Sequence, residues 1–343
     1  MAAIPPTRGC VTESERRASG DDAVPPVEST ALAPEVEATI TRFLERSSFG
    51  AQGGFVTDLD GTVVFEMQGT TLLAPAVEHA IKALYELGRP LMINSLRFPL
   101  SVMRTFGTDW YRLSNAPIPL VSLNGSQIGF IHETAAGDLD FDELVAFPLD
   151  SLEVETVFGQ LRRLLDAGMR DVLLFYYPRD WRQGEIIWTP DADRVARVHE
   201  KYRSASAVVT FDVEELRAQL VGQELCMMLL LVDAPDDVLM AYQHTRRANF
   251  FTHAGVDKLS GTIELARRLD VDLEHSLGAG DTDMDRFLEG VGLALHVGPQ
   301  KLAFRGILET VRLRDAGELA SVLFRLATLE RDRRASSGQP VRR

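Results

Sequence analysis

The sequence is poor in cysteine, has no long apolar run and carries no excess of positive charge, and each shortage excludes a class of protein. Its 343 residues include only two cysteines, Cys10 and Cys226, too few for the disulfide framework of a small secreted domain. The longest apolar run, from about Cys226 to Val232, has the length of a strand and cannot span a membrane. A formal net charge of −14 disfavours nucleic acids and anionic membranes as partners. Since the start of the chain also lacks the apolar segment of a secretory signal, we expect a cytoplasmic protein.

What is present is a globular composition, 45% hydrophobic and 25% charged, at a length that suits two domains or one core with a large insertion. Residues 1–30 are rich in Pro, Ser, Glu and Arg and are predicted to form a disordered leader. Strand and helix patterns alternate over residues 31–124 and 251–330, which predicts an α/β core with an open, Rossmann-like parallel sheet. Residues 125–250 are predicted to form an inserted α+β domain, and residues 331–343 a flexible tail.

Individual elements follow from apolar spacing and from residues that begin or end helices. The predicted core strands and helices are Gly54–Asp58, Pro90–Ser95, a strand ending at Gly278–Asp281, Leu293–Val297, and helices at Ala33–Arg46, Pro75–Leu87 and Glu318–Leu329. Within the insertion we predict paired strands at Ile128–Ile131 and Phe141–Ala146, and a helix at Pro235–Arg247. Ligands of parallel α/β sheets bind at the carboxyl ends of the strands, so polar residues at those ends are the candidate site.

The most informative segment, Phe55 to Phe65, reads F-V-T-D-L-D-G-T-V-V-F. Asp58 and Asp60 stand two apart at the end of an apolar run, and Gly61 follows at once. Two carboxylates held together repel each other and favour a proton or a cation, and a hard ion such as Mg²⁺ suits such a site. An Asp-Gly turn after a strand is a common alternative. The whole D-L-D-G-T pattern, however, resembles the first motif, D-x-D-G-T, of the haloacid dehalogenase (HAD) superfamily.

A second segment, P-L-M-I-N-S-L-R, resembles the second motif of that superfamily. Ser95 ends the strand and supplies the expected hydroxyl donor, and Arg97 lies two residues beyond it. Leu96 stands where Gly is usual, which puts the local backbone turn in doubt. The alternative interpretation is a Ser that caps the start of a helix.

The third and fourth motifs are resembled by Lys258, before a predicted helix, and by the segment G-A-G-D-T-D-M-D-R-F-L. In that segment Asp281 and Asp285 take the places of the two acids in G-D-x-x-x-D, and Asp283 adds a third. Met284 stands where many relatives have Asn. A solvated lysine and an acidic helix start are the ordinary alternatives. The order of the four segments, each near a strand end, favours the resemblance.

The resemblance implies a role for each of these residues in phosphoryl transfer. Asp58 would be the nucleophile that forms an aspartyl-phosphate, and Asp60 the general acid and base. Lys258 would reduce charge repulsion at the nucleophile.

The metal and the phosphate have implied partners as well. Mg²⁺ would be held by Asp58, the backbone carbonyl of Asp60 and Asp281, while Asp285 would support the metal shell or hold Lys258. Ser95 and Arg97 would bind the substrate phosphate, together with Asn124 of the segment Leu123-Asn124-Gly125.

The interval between Ser95 and Lys258 is far longer than that between Asp58 and Ser95, which places the insertion between the second and third motifs. That position resembles the Cof-type subgroup of the superfamily, whose α+β cap closes over the core and excludes water. Leu123-Asn124-Gly125 resembles the start of that cap, although Asn-Gly is also a plain turn dipeptide. Side chains of one predicted hairpin could contact the substrate or could merely pack at the surface: Arg179, Trp181, Arg182 and Trp188. His253, the histidine nearest a motif, also has an ordinary structural role as its main alternative.

The function implied is a Mg²⁺-dependent phosphatase that hydrolyses a small phosphate monoester, such as a sugar phosphate or a similar phosphorylated metabolite. One alternative is a phosphomutase or phosphotransferase, which passes the phosphoryl group to a sugar instead of water. Another is a non-catalytic HAD-like binding module, whose only support is the pair of departures at Leu96 and Met284.

Overall fold

A computed structural model of the chain describes residues 32–67, 70–232 and 248–337. The predicted leader, residues 1–30, and the predicted helix Pro235–Arg247 lie outside the described residues. Within the described ranges, no helix combines the length and the apolar character needed to cross a membrane.

Helices and strands alternate along most of the chain, as the sequence predicts. The strands are β1 Phe55–Thr57, β2 Val64–Met67, β3 Thr70–Leu73, β4 Leu91–Asn94, β5 Ile118–Ser122, β6 Gln127–Glu133, β7 Leu139–Ala146, β8 Val172–Pro178, β9 Ile186–Trp188, β10 Ala207–Val209, β11 Leu225–Val232, β12 Ala248–Phe251, β13 Leu277–Gly280, β14 Leu293–Val297 and β15 Glu309–Leu313. The helices are α1 Pro34–Arg46, α2 Phe49–Gln52, α3 Pro75–Tyr85, α4 Pro99–Val102, α5 Thr108–Ser114, α6 Ser151–Asp166, α7 Val195–Lys201, α8 Val213–Leu220, α9 Lys258–Arg268 and α10 Ala316–Ser337. Short 3₁₀ turns at Leu123–Gly125 and Arg286–Glu289 border the candidate site.

The larger sheet has the strand order β15-β14-β13-β1-β4-β5-β6-β7 in the described part of the chain. From β15 to β5 neighbouring strands are parallel, and β6 and β7 are added antiparallel. Every residue of β1, β4, β13 and β14 is buried, as expected for parallel strands covered on both faces. The predicted fold class, an open and mainly parallel α/β sheet with an added α+β part, is therefore confirmed.

Successive residues of β1 show how the two faces of this sheet are filled. Phe55 packs in one cluster with Phe43 of α1 and Leu323 of α10, whereas Val56 packs on the opposite face with Leu265 of α9. This alternation follows from the two-residue period of a strand. It places α9, which begins at Lys258, on the second face of the sheet.

A second, five-stranded sheet, with the order β10-β9-β8-β11-β12, belongs to residues 151–251, which we call the cap. Helices α6 and α8 cover one face through side chains such as Val157 and Leu216. Tyr177 on the other face packs in a cluster with Phe98 and Leu123, which follow β4 and β5 of the larger sheet. One face of the cap sheet therefore lies against the edge of the core where the parallel strands end.

The pairing of β6 and β7 differs from the expectation that residues 125–250 form one insertion. Both strands continue the larger sheet, and the separate sheet begins only at Val172. The reason lies in the Leu123–Gly125 turn, where positive φ angles reverse the chain so that β6 pairs antiparallel with β5. Ile128 and Ile131 then pack in the clusters on opposite faces of the core.

The end of the chain also differs from the expected tail at residues 331–343. Helix α10 continues to Ser337, and only residues 338–343 lie outside the described part. Its last turns are anchored because Arg333 donates a hydrogen bond to the carbonyl of Leu44, and Arg334 donates to the carbonyl of Gly50 at 2.8 Å. Basic residues near a helix C-terminus that reach neighbouring carbonyls extend the helix where a polar sequence alone suggests fraying.

Candidate active site

Three neighbouring parallel strands, β13, β1 and β4, end at the same edge of the core sheet. Thr57, the last residue of β1, is in register with Ala279 of β13 and Ile93 of β4. The polar residues that follow these strands are therefore brought together at that edge: Asp58, Ser95 and Asp281.

Lys258 lies at the centre of this group. Its Nζ atom donates to Asp58 Oδ1 at 2.6 Å and to Asp285 Oδ1 at 2.6 Å. The side chain is only 1% exposed. Burial alone would lower the pKa of Lys258, but the charges of Asp285 and Asp58 outweigh it and raise the pKa above its ordinary value. The lysine is therefore a fixed positive charge next to Asp58.

Three carboxylates surround this one lysine. Asp58, Asp281 and Asp285 each offer an oxygen, and these oxygens lie within 4.8 Å of one another. Burial, opposed by Lys258 but reinforced by the neighbouring carboxylates, raises the pKa of Asp58 well above its ordinary value. Burial and the charge of Asp285 raise the pKa of Asp281 to about 7. The cluster thus has an excess of negative charge, and its oxygen donors fit a hard divalent cation such as Mg²⁺.

Asp285 is committed through both of its oxygens. Oδ1 accepts from Lys258, and Oδ2 accepts the backbone N–H groups of Asp281 and Thr282, each at 2.9 Å. Of the two roles that the sequence leaves open for Asp285, the contacts are those of a residue that holds Lys258. The same contacts fix the loop that carries Asp281.

Gly61 and Thr62 close over Asp281 from the first motif. Gly61 has φ +74°, and a Cβ atom there would lie 2.2 Å from Asp281 Oδ2. Thr62 Oγ1 donates to Asp281 Oδ1 at 3.2 Å. The motif D-x-D-G-T contains this threonine, but its spacing alone does not predict the hydrogen bond from Thr62 to Asp281.

Asp60 pairs with Arg97 and is not one of the three grouped carboxylates. The guanidinium donates from Nε to Asp60 Oδ2 at 2.8 Å and from Nη2 to Oδ1 at 2.6 Å, and Nη1 donates to Ser101 Oγ at 3.1 Å. Such two-point pairing orients a carboxylate strongly. Arg97, expected at the substrate phosphate, therefore holds the candidate acid and base in this structure.

The segment after β4 links the second motif to the third. Asn94 Nδ2 donates to the carbonyl of Lys258 at 2.8 Å and to Thr262 Oγ1 at 2.6 Å, which ties the start of α9 to β4. Ser95 is fully buried, and its Oγ accepts the backbone N–H of Arg97 at 3.1 Å. Leu96 is not among the residues with positive φ, so the turn does not need the usual glycine.

The Leu123–Gly125 turn packs directly on the segment that precedes Lys258. Its three residues have φ angles of 49°, 57° and 97°, and the N–H of Asn124 donates to the carbonyl of Ser95 at 3.4 Å. A Cβ atom on Gly125 would lie 2.2 Å from the carbonyl oxygen of Asp257. Asp257 and Ser260 form a reciprocal cap at the start of α9. Ser260 therefore helps to fix the start of the helix, where Lys258 is the first residue.

Several candidates from the sequence lie outside the cluster. Asp283 is exposed and is not part of the carboxylate group. Trp188 is buried and its Nε1 donates to the carbonyl of Phe211. Trp181 packs edge-on against Phe141, with ring centroids 6.2 Å apart. The basic candidates pair with acidic residues elsewhere: Arg179 with Glu143 and Glu224, Arg182 with Asp140, and His253 with Glu153.

No family model matches the chain, and no curated protein matches it. Solved structures do resemble it. One is BT1666 from Bacteroides thetaiotaomicron, described as a phosphatase of the haloalkanoate (HAD) enzyme superfamily, with 14% identity over 80% of this chain and 93% of that chain and a TM-score of 0.54. A second is the HAD subclass IIB sugar phosphatase BT4131, with 13% identity over 83% of this chain and 99% of that chain and a TM-score of 0.54. A third is TM0651 from Thermotoga maritima, with 16% identity over 80% of this chain and 97% of that chain and a TM-score of 0.53.

These matches extend over the core sheet and the cap alike, since each covers about four fifths of this chain and more than nine tenths of the solved structure. At such low identity they establish the fold. The predicted resemblance is therefore confirmed at that level: this chain has the fold of solved HAD superfamily phosphatases.

Proposed function

We propose that this protein is a Mg²⁺-dependent phosphatase that hydrolyses a small phosphate monoester through an aspartyl-phosphate. The observation that carries the proposal is the position of Lys258, whose Nζ lies 2.6 Å from Asp58 and 2.6 Å from Asp285 beside Asp281. A buried lysine held between carboxylates is the arrangement that lowers repulsion between an attacking carboxylate and a phosphate.

In the first half of the reaction, Asp58 attacks phosphorus with a carboxylate oxygen. The bond to the ester oxygen breaks, and that oxygen takes a proton from Asp60, so the alcohol leaves and the phosphoryl group stays on Asp58. Arg97 holds both oxygens of Asp60 and therefore fixes the direction from which the proton comes.

In the second half, a water molecule attacks the phosphorus of the aspartyl-phosphate. Asp60, now ionised, takes a proton from that water, the bond to Asp58 breaks, and inorganic phosphate is released. Both residues return to their starting protonation states.

The remaining residues bind and balance charge. Asp58, the backbone carbonyl of Asp60 and Asp281 would hold Mg²⁺, which neutralises charge on the phosphoryl oxygens when it is bound. The Ser95 hydroxyl would donate to a phosphoryl oxygen, with Asn124 in the adjacent turn.

The substrate class follows from the cap and from the solved structures of the same fold. The cap sheet lies against the strand ends of the core, so the ester must be small enough to fit beneath it. BT4131, which has this fold, is described as a sugar phosphatase. We therefore propose a sugar phosphate or a similar phosphorylated metabolite for this chain.

The proposal is tested with a panel of phosphorylated metabolites, by measuring release of inorganic phosphate with Mg²⁺ and with a chelator. We expect Asp58→Asn to lower turnover by about three orders of magnitude or more, because the nucleophile is lost. Asp283→Asn is the matched control, since Asp283 is an exposed acid of the same region outside the cluster.

Hydrolysis in ¹⁸O-labelled water adds a second readout. Incorporation of ¹⁸O into the released phosphate is expected from transfer to water, whereas a phosphorylated sugar product would indicate phosphotransfer. Undiminished turnover by Asp58→Asn would contradict the proposed nucleophile.

A further inference from the structure

Glu185 is a buried acid that the proposed mechanism does not use. It precedes β9 in the cap and is only 1% exposed. Oε2 accepts the hydroxyl of Tyr177 at 2.5 Å, while Oε1 accepts no hydrogen bond from the described residues. Burial, partly offset by Tyr177, Arg97 and Ser204, raises the pKa of Glu185 to about 7. Burying an ionisable carboxyl group costs free energy unless another group compensates its charge.

A positive charge that acts on Glu185 belongs to the core, where Arg97 follows β4. Phe98, next to Arg97, packs against Tyr177 with ring centroids 5.9 Å apart, and a Cβ atom on Gly184 would lie 3.4 Å from the Phe98 ring. These contacts place Glu185 where the cap meets the segment after β4. The positive charge of Arg97 acts against burial and lowers the pKa of Glu185.

Arg97 thus interacts with two carboxyl groups that belong to different parts of the molecule. Asp60 of the core accepts from Nε and Nη2, and Glu185 of the cap acts on the same guanidinium through its charge. The Arg97 side chain is long and has many rotamers, so the loss of one of its two charged partners weakens its orientation.

We propose that Glu185 is a positioning residue which, through Arg97, orients Asp60 for proton transfer. The proposal rests on the proposed phosphatase function. On this proposal, the cap helps to orient the acid and base when it lies against the core, in addition to covering the substrate. Glu185 itself touches none of the reacting atoms.

The test uses the difference between leaving groups. An alkyl phosphate needs a proton from Asp60 as its alcohol leaves, whereas p-nitrophenyl phosphate releases a stable phenolate without one. Glu185→Gln keeps the shape of the side chain and removes its charge. Because general acid catalysis contributes about 10²- to 10⁴-fold, we expect kcat to fall about tenfold or more on the alkyl ester and by less than about threefold on the aryl ester.

Two further variants guard against a merely structural effect. Glu143→Gln is the matched control. Glu143 of β7 pairs with Arg179 of the cap, so this substitution removes a carboxylate from a different contact between the two sheets. It is expected to leave the ratio of the two rates unchanged. Tyr177→Phe removes the hydrogen bond to Glu185 and is expected to lower the alkyl ester rate selectively, by a smaller factor, even where Glu185→Gln folds poorly in thermal denaturation.

The outcomes separate this inference from the function on which it rests. Equal losses on both esters, or no loss, in Glu185→Gln and Tyr177→Phe would overturn the role of Glu185 while the wild-type activity stands. A wild-type chain that hydrolyses neither ester nor any phosphorylated metabolite would overturn both.

Discussion

At the scale of single residues, the charge balance around Lys258 is the basis for proposing a cation site at this cluster. Asp58 and Asp285 each accept a hydrogen bond from Lys258 at 2.6 Å and keep it charged in spite of its burial. A buried ion pair of this kind is stable only when the remaining charge is also compensated. Asp281 is the carboxylate left over, and burial together with Asp285 raises its pKa to about 7. A divalent cation bound beside Asp281 would favour the ionised carboxylate and so oppose that rise.

Gly61 offers a direct test of how Asp281 is held. Gly61→Ala places a methyl group 2.2 Å from Asp281 Oδ2 at a position with φ +74°. Because both the backbone and the carboxylate must shift, we expect loss of about 1–3 kcal/mol of unfolding free energy and a turnover at least about tenfold lower. Chemical denaturation and phosphate release measure the two effects.

Gly88→Ala is the control for the backbone part of this effect. Gly88 has φ +76°, nearly the same as Gly61, but a Cβ atom there would have no neighbour within 4 Å among the described residues. It should therefore cost stability without loss of turnover. If the two variants lose turnover equally, the contact between Gly61 and Asp281 is not what matters.

Glu185 predicts a pH dependence of stability with a definite sign. Its pKa is about 7 in the folded protein and about 4.5 when unfolded, so the folded state binds the extra proton between these values. The stability that this proton contributes is present below about pH 4.5 and is lost as the pH rises through 7. Relative to wild type, Glu185→Gln should therefore gain on the order of 2–3 kcal/mol of unfolding free energy between pH 5 and pH 8. Urea denaturation at both pH values checks this, and a constant difference would contradict it.

At the scale of elements, the buried parallel strands are predictable because their signal is local. Phe55–Thr57, Leu91–Asn94 and Leu293–Val297 are short apolar runs bounded by polar residues or glycine, and each lies within its predicted range. The residues at their ends are predictable for the same reason, since a polar residue must follow where a buried strand leaves the core. The grouping of Asp58, Asp281 and Asp285 near Lys258 agrees with this reasoning.

Features that depend on distant partners are harder to predict. The pairing of β6 with β5 depends on the positive φ angles of the Leu123–Gly125 turn. Leucine rarely adopts a positive φ, so Leu123 does not predict this turn from the sequence. The same holds for Arg97, whose contact with Asp60 depends on a rotamer. The contact of Arg333 with Leu44, which extends α10, joins residues that are remote in sequence.

The N-terminal capping residue of helix α9, Asp257, leads to a prediction about that helix. Asp257 accepts the N–H of Ser260 at 2.8 Å and precedes Lys258, the first residue of the helix. Asp257→Ala should cost about 1 kcal/mol of unfolding free energy and should also lower turnover, since Lys258 loses its fixed position.

Asp212→Ala is the matched control. Asp212 caps α8 by accepting the N–H groups of Glu214 and Glu215 at 2.9 and 3.0 Å, and α8 carries no residue of the candidate site. It should lose a similar amount of stability and keep its turnover. An equal loss of turnover in both variants would contradict the proposed link between the N-cap residue Asp257 and the position of Lys258.

At the scale of the whole molecule, ion pairs and apolar packing both join the cap to the core. Arg179 pairs with Glu143 and Arg182 with Asp140, each at 2.8 Å, but these pairs are partly exposed and worth at most about 1 kcal/mol each. The apolar contact of Phe98 with Tyr177 is buried and lies next to Arg97 and Glu185. The buried contact between the cap and the core is therefore the one that borders the candidate acid and base.

The excess negative charge of the cluster predicts that Mg²⁺ stabilises the whole fold. A ligand that binds only the folded state at 100 times its dissociation constant adds about 2.7 kcal/mol to the unfolding free energy, which raises the melting temperature by several degrees. Because the pKa of Asp281 is about 7, a proton competes with the cation below that pH, so the rise should be larger at pH 8 than at pH 6. Asp281→Asn should abolish most of the rise, whereas Asp283→Asn, at an exposed acid outside the cluster, should keep it. Thermal denaturation with and without Mg²⁺ at both pH values measures these shifts, and the same rise in Asp281→Asn as in wild type would exclude the cluster as the metal site.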